Sequence, residues 1–303
     1  MAQATHREAQ VHEVPVLGTT MAYREVGAGT PIVLLHGNPS SSYGWRHVLP
    51  VVGTAGRALA PDLIGMGDSG RPDIAYSFAD HARHLDAWFD ALGLDDVVLV
   101  GHDWGGALAF DHARRHPGRV RGVAFLETIV RPFSAAEFPP GHPFHRLRTP
   151  GLGEQLVLDE DFFMTTGIHA TTLGTLADED VAAYRRPFPT PASRRALLAW
   201  PRSMPIAGEP ADVVATVEAS GEWLATSPDV PKLLLTFTGS PTLVIGDEVE
   251  AWCRAHVAAL EVEACGPSGH LAVEDRPEAI AAAVVSWLAR HGLAAAGPGT
   301  AGG

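Results

Sequence analysis

Cysteine is nearly missing from this chain: two among 303 residues, Cys253 and Cys265, with no C-x-x-C pair. That argues against a structural zinc or dithiol redox site, permits a disulfide without requiring one, and leaves two buried free thiols as the expectation. Positive charge is scarce as well. Twenty-two Lys and Arg face 35 Asp and Glu, a formal charge of −13, which argues against nucleic acid and against attraction to an anionic membrane surface as partners. No stretch approaches the roughly 18 apolar residues of a spanning helix, and Met1 to Glu8 has no apolar run behind a basic start. A cytoplasmic protein is expected. The H-x-x-H pairs His81/His84 and His142/His145 lack a third ligand, so no metal is expected. Most of the fifteen histidines, His112, His116 and His142 among them, read as surface residues. No repeat occurs at solenoid periods, and the small-residue run 294–303 reads as a mobile tail.

What is present is an alternation of strand-like and helix-like segments. Val11 to Leu17 and Thr20 to Val26 flank a turn at Gly18. Pro31-Ile32-Val33-Leu34-Leu35 is continuously apolar and predicts a strand buried on both faces. The sheet is expected to start antiparallel and become parallel. Arg57 to Ala60, a helix over Ala79 to Leu92, Val97 to Val100, another helix, and Val120 to Leu126 follow. From about Arg131 to Gly208 prolines and short helical pieces interrupt the pattern, which predicts an inserted helical cap. Alternation resumes with a helix around Asp212 to Thr226, a strand at Lys232 to Phe237, a helix near Glu248 to Leu260, a strand at Val262 to Cys265 and a closing helix Pro277 to His291. With 46% hydrophobic residues, the chain can bury one large core. The expected fold is α/β, a mostly parallel twisted sheet with helices on both faces, residues 1–130 and 209–303 forming the core domain and 131–208 the cap.

The chemistry centres on Gly101-His102-Asp103-Trp104-Gly105. This places an aspartate where a G-x-S-x-G nucleophile elbow carries serine, directly after a β-branched run and directly before a helical pattern. A carboxylate on such a turn can attack an electrophilic carbon and leave an alkyl ester, which moves the reaction class from acyl transfer towards opening of alkyl halides or epoxides. The competing reading is that Asp103 only caps the following helix. His36-Gly37-Asn38-Pro39 follows the buried third strand, where this elbow architecture supplies one oxyanion-hole amide. The backbone N–H groups of Asn38 and Trp104 would converge on one oxygen. Their side chains add an amide and an indole donor suited to a departing halide. Core packing for Trp104 and a turn role for Asn38 are the plainer alternatives.

His270 lies after the last predicted strand and before the last helix, the place of the histidine in the order nucleophile, acid, histidine. Two acids compete for the middle position: Glu127, ending the strand Gly122 to Leu126, and Asp247, some way beyond the strand Leu233 to Phe237. That second strand ends in Thr238-Gly239-Ser240-Pro241-Thr242, without a carboxylate, which favours Glu127.

Taken together, His36 to Arg46, Pro61-Asp62-Leu63-Ile64-Gly65-Met66-Gly67-Asp68-Ser69, His102-Asp103-Trp104-Gly105 and Pro205-Ile206-Ala207-Gly208-Glu209-Pro210 resemble the haloalkane dehalogenases of the α/β-hydrolase superfamily. The likeness runs from about residue 11 to 290 and is to the subfamily with an Asp-His-Glu triad and an Asn-Trp halide pair. The resemblance implies Asp103 as nucleophile, His270 as base, Glu127 as acid, Asn38 and Trp104 as halide donors, and Phe144, Phe163, Val244 and Leu271 in the pocket wall. It implies no cofactor, and a small halogenated hydrocarbon, water and a halide ion as partners. Two stretches depart from the family pattern. Glu127-Thr128-Ile129-Val130-Arg131-Pro132 is one residue longer than Glu-x-x-Arg-Pro, and His270-Leu271-Ala272-Val273-Glu274-Asp275 replaces His-Tyr-Leu-Gln-Glu-Asp. Two rival activities share the framework. An epoxide hydrolase needs cap tyrosines, of which only Tyr184 is present, and a luciferase-like oxygenase shares the H-D-W-G elbow. A non-enzymatic binding relative would be expected to have lost Asp103 or His270.

Overall fold

A computed structural model describes residues 10–139 and 141–293. Two strands open the chain, β1 (Val11–Val16) and β2 (Thr19–Val26), paired antiparallel. Leu17 and Gly18 both take positive φ, 46° and 81°, the left-handed pair that lets a two-residue loop follow the twist of a hairpin. β2 pairs antiparallel with β4 (Arg57–Pro61), and from there the sheet is parallel: β3 (Pro31–Leu35), β5 (Val97–His102), β6 (Val120–Leu126), β7 (Lys232–Thr238) and β8 (Leu260–Pro267). The order across the eight strands is β1-β2-β4-β3-β5-β6-β7-β8. All six residues of β5 are buried, as its β-branched run requires once both faces are covered. The strand that carries the elbow therefore lies inside the molecule.

Helices alternate with these strands: Phe78–Ala91, Trp104–Arg115, Ala211–Thr226, Asp247–His256 and Pro277–His291. The first is closed by a capping box, with the Ser77 hydroxyl and the Asp80 carboxylate each accepting the other's backbone N–H. Asp247–His256 ends earlier than the expected Leu260. Val257 is extended and Ala259 takes φ 51°, which turns the chain so that Leu260 begins β8. Between β6 and β7 the chain leaves the sheet and forms short helices, among them Pro143–Arg148, Asp178–Arg185 and Arg195–Ser203. The two ends of this excursion are stitched together, Phe133 N–H donating to the Pro205 carbonyl and Ala207 N–H to the Phe133 carbonyl.

One histidine expectation needs correction. His112 is not a surface residue: it is buried, stacked on Phe89 at 4.2 Å, with Nδ1 on Asp86 at 2.8 Å. The helix Trp104–Arg115 carries buried residues continuously from Trp104 to Ala113, so its polar face is narrower than the sequence suggests. His116 and His142 are half-buried. Asp86, His112 and His116 converge as a metal site would, but the Arg115 guanidinium already occupies the Asp86 carboxylate. The cysteines are buried free thiols, Cys253 pushed up to about 12 and Cys265 to about 11 by burial. Lys232, the only lysine in the sequence, is buried at the start of β7 and donates to the carbonyl and hydroxyl of Ser227. Burial lowers its ammonium to about 8. No helix among the described residues is long and apolar enough to cross a membrane. The expected mobile tail, 294–303, lies outside the described residues.

Candidate active site

β5 ends at His102 and the next helix starts at Trp104, leaving Asp103 alone on the turn with φ 52° and ψ −130°. A non-glycine residue in this region is strained, and such strain persists where the surroundings over-determine it. The side chain makes no capping bond to its helix. Its Oδ2 instead accepts the Asn38 backbone N–H at 2.7 Å. The close approach depends on Gly37, where a Cβ would fall 2.3 Å from that same oxygen. The reading of Asp103 as a helix cap is therefore set aside.

The loop bearing Asn38 is locked from beneath. Leu63 N–H donates to His36 Nε2 at 2.9 Å, and His36 Nδ1 stands 2.9 Å from the Gly37 carbonyl. With Nε2 accepting, Nδ1 must carry the proton. Burial keeps that imidazole neutral by lowering its pKa. Asp62 fastens the flanking turns, accepting Ser42 N–H at 2.6 Å and Asp68 N–H at 2.8 Å.

His270 faces two carboxylates. Its Nδ1 is 3.1 Å from Glu127 Oε2 and its Nε2 is 3.6 Å from Asp103 Oδ1. Glu127 is fully buried at the end of β6, in a left-handed conformation of φ 46°. It also accepts the Val244 N–H at 2.7 Å on Oε2 and the Ile245 N–H at 3.2 Å on Oε1, so each oxygen of this buried carboxylate has a backbone donor. Burial alone would lower the His270 pKa. The two carboxylates outweigh it and push the imidazole up to about 10. Asp247, the alternative acid, is exposed at the first position of its helix. A neighbour the sequence reading passed over steadies the histidine: His102 Nε2 lies 2.8 Å from the His270 carbonyl and acts as its donor. Burial and the adjacent His270 lower His102 to about 4, so it stays neutral.

The remaining expected residues fall in two groups. The side chains of Asn38 and Trp104 meet the inserted helix Arg195–Ser203: Asn38 Nδ2 reaches the Leu197 carbonyl at 3.4 Å, and the Trp104 indole stacks on Trp200 at 4.8 Å. The Asn38 contact is long for a hydrogen bond. Leu271 is buried next to His270, and Val244 adjoins the Glu127 carboxylate through its backbone. Phe144 and Phe163 pack on other aromatics of the insertion, Phe144 on Phe138 at 5.5 Å and Phe163 on Phe162 at 5.6 Å. Tyr184 is buried, its hydroxyl donating to Glu274, which also pairs with Arg46.

The sheet order and the strand-turn-helix elbow define an α/β-hydrolase, and the alpha/beta hydrolase fold family matches residues 30–277. A haloalkane dehalogenase from Mesorhizobium japonicum is 46% identical over 282 residues, covering 91% of this chain and 90% of its own. One from Agrobacterium fabrum is 45% identical, covering 93% and 92%. The crystal structure of a haloalkane dehalogenase from Agrobacterium tumefaciens superposes with a TM-score of 0.88 at 44% identity, over 93% of this chain and 97% of that one. The chain belongs to the haloalkane dehalogenases.

Proposed function

We propose that this protein hydrolyses the carbon–halogen bond of small haloalkanes, giving an alcohol, a halide ion and a proton, through an ester on Asp103. The observation that carries the reading is the pairing of the two Asp103 oxygens with different neighbours. Oδ2 is held by the Asn38 amide, and Oδ1 faces His270. Oδ1 is then the attacking oxygen. It displaces halide from the carbon, in line, while the Asn38 amide and Trp104 indole side chains receive the halide. Neutral donors stabilise the leaving anion without holding it as a fixed cation would.

Ester formation removes one of the two negative charges that keep His270 protonated. Its pKa falls, and the imidazole becomes a base at the stage where one is required. Nε2 takes a proton from water, and the hydroxide adds to Cγ of Asp103. The charge gathers on Oδ2 beneath the backbone N–H groups of Asn38 and Trp104. Collapse breaks the Cγ–Oδ1 bond, and the alcohol leaves with the proton from His270. Glu127 orients the imidazole and offsets its charge throughout. The reading needs no cofactor. Residues 131–208 act as a cap over this site, and Phe144, Phe163, Val244 and Leu271 contribute apolar wall, as an uncharged halocarbon requires.

The epoxide reading is less well supported, because the hydroxyl of the single tyrosine expected in the cap, Tyr184, is committed to Glu274. Halide release from 1-bromobutane and 1,2-dibromoethane, measured beside diol formation from styrene oxide, tests the assignment. Multiple turnovers of halide are expected. Diol formation without halide release would overturn it.

A further inference from the structure

We propose that Thr128 is a positioning residue that aims the Trp104 backbone amide at Oδ2 of Asp103. It follows Glu127 directly, is fully buried, and its hydroxyl donates to the Asp103 carbonyl at 2.5 Å. The same carbonyl accepts the Gly106 N–H at 3.0 Å. Both of its lone pairs are therefore engaged, one from within the elbow and one from the neighbouring strand end. The contact is possible because position 106 is glycine: a Cβ there would lie 2.3 Å from Thr128 Oγ1 and 2.6 Å from its Cβ.

The carbonyl of Asp103 and the N–H of Trp104 belong to one planar trans peptide and point in opposite directions. Fixing the first fixes the second. Asp103 holds φ 52° and ψ −130°, a conformation to which an unrestrained aspartate would not return readily. Thr128 supplies the outside restraint, so the residues 127 and 128 place the acid and the elbow peptide together.

This inference rests on the ester mechanism above, and the two chemical steps separate it from a general effect on folding. During alkylation negative charge leaves Oδ2, because the carboxylate becomes an ester. A looser Trp104 amide therefore costs that step nothing. During hydrolysis charge builds on Oδ2, and the same loosening slows the reaction. A residue that merely supported the fold would slow both steps or neither.

The test is single-turnover kinetics with 1,2-dibromoethane, following halide release and the mass of the alkylated protein in wild type, Thr128→Val and Thr128→Ser. Thr128→Val keeps the β-branched shape and deletes the hydroxyl. Its alkylation rate is expected to stay within about twofold of wild type, while ester hydrolysis slows roughly tenfold, less than the hundredfold or more of losing an oxyanion donor outright. Thr128→Ser, which keeps the hydroxyl, is expected to restore hydrolysis. Should Thr128→Val not fold, Thr128→Ala carries the same comparison. Unchanged hydrolysis, equal slowing of both steps, or a serine variant as slow as valine would overturn the proposal. Absence of any alkylated protein in wild type and in His270→Phe would instead remove the mechanism beneath it.

Discussion

Glu127 and His270 are 143 residues apart in the chain and 3.1 Å apart in the fold, brought together by parallel strands that end on the same side of the sheet. The carboxylate that receives the imidazole is buried, while the histidine keeps 14% of its side chain exposed. The acid is thus shielded from solvent and the base remains reachable by water.

That arrangement ranks two acids. Glu127→Gln removes the charge that supports an imidazolium and is expected to slow ester hydrolysis by about a thousandfold or more. Asp247→Asn, at an exposed helix start, should stay near wild type. Rapid-quench separation of alkylation from hydrolysis in both variants checks the order, and the opposite ranking would move the acid to Asp247.

Halide displacement by Asp103 needs no base, whereas release of the ester does. His270→Phe is therefore expected to stop after one turnover with the protein heavier by the alkyl group. Intact-protein mass spectrometry reads this directly. Sustained halide release from the variant would take His270 out of the base role.

If a halide leaves between Asn38 and Trp104, deleting either side-chain donor raises the alkylation barrier by on the order of 3 kcal/mol, about a hundredfold in rate. Asn38→Ala and Trp104→Phe should both show it, with chloroalkanes suffering more than bromoalkanes because the poorer leaving group depends more on its donors. Equal rates for wild type and both variants would leave the halide pair without support.

The raised pKa of His270 has a thermodynamic counterpart. Because the folded value, about 10, lies above the ordinary 6.5, the protonated imidazole contributes stability that is fully present below about pH 6.5. This contribution is lost as pH rises towards 10. Wild type is therefore expected to lose more stability than His270→Gln over that interval in denaturant titrations. The imidazole NMR signals should also report a lower pKa in Asp103→Asn, where one carboxylate charge is gone. A wild-type His270 that titrates near 6.5 would overturn this expectation.

Much of this was legible in the sequence, and the reasons are local. β3 is a continuous apolar run bounded by turn residues, and the closing helix begins at a proline and ends before a glycine in the left-handed conformation, Gly292. The elbow is a contiguous motif whose neighbours on both sides are readable by pattern. What escaped depends on contacts between distant segments. The Thr128 hydroxyl is one residue of a strand exit until the fold sets it on the Asp103 carbonyl, and His102 reaches His270 across 168 residues. The burial of His112 likewise follows from how its helix is enclosed, which helical spacing does not reveal.

Lys232 has a practical corollary. The chain's only lysine amine is enclosed between β7 and the Ser227 turn, so the folded protein offers an acylating reagent no lysine side chain. Lysine acylation that appears under mild heating would then count molecules whose β7 has come open.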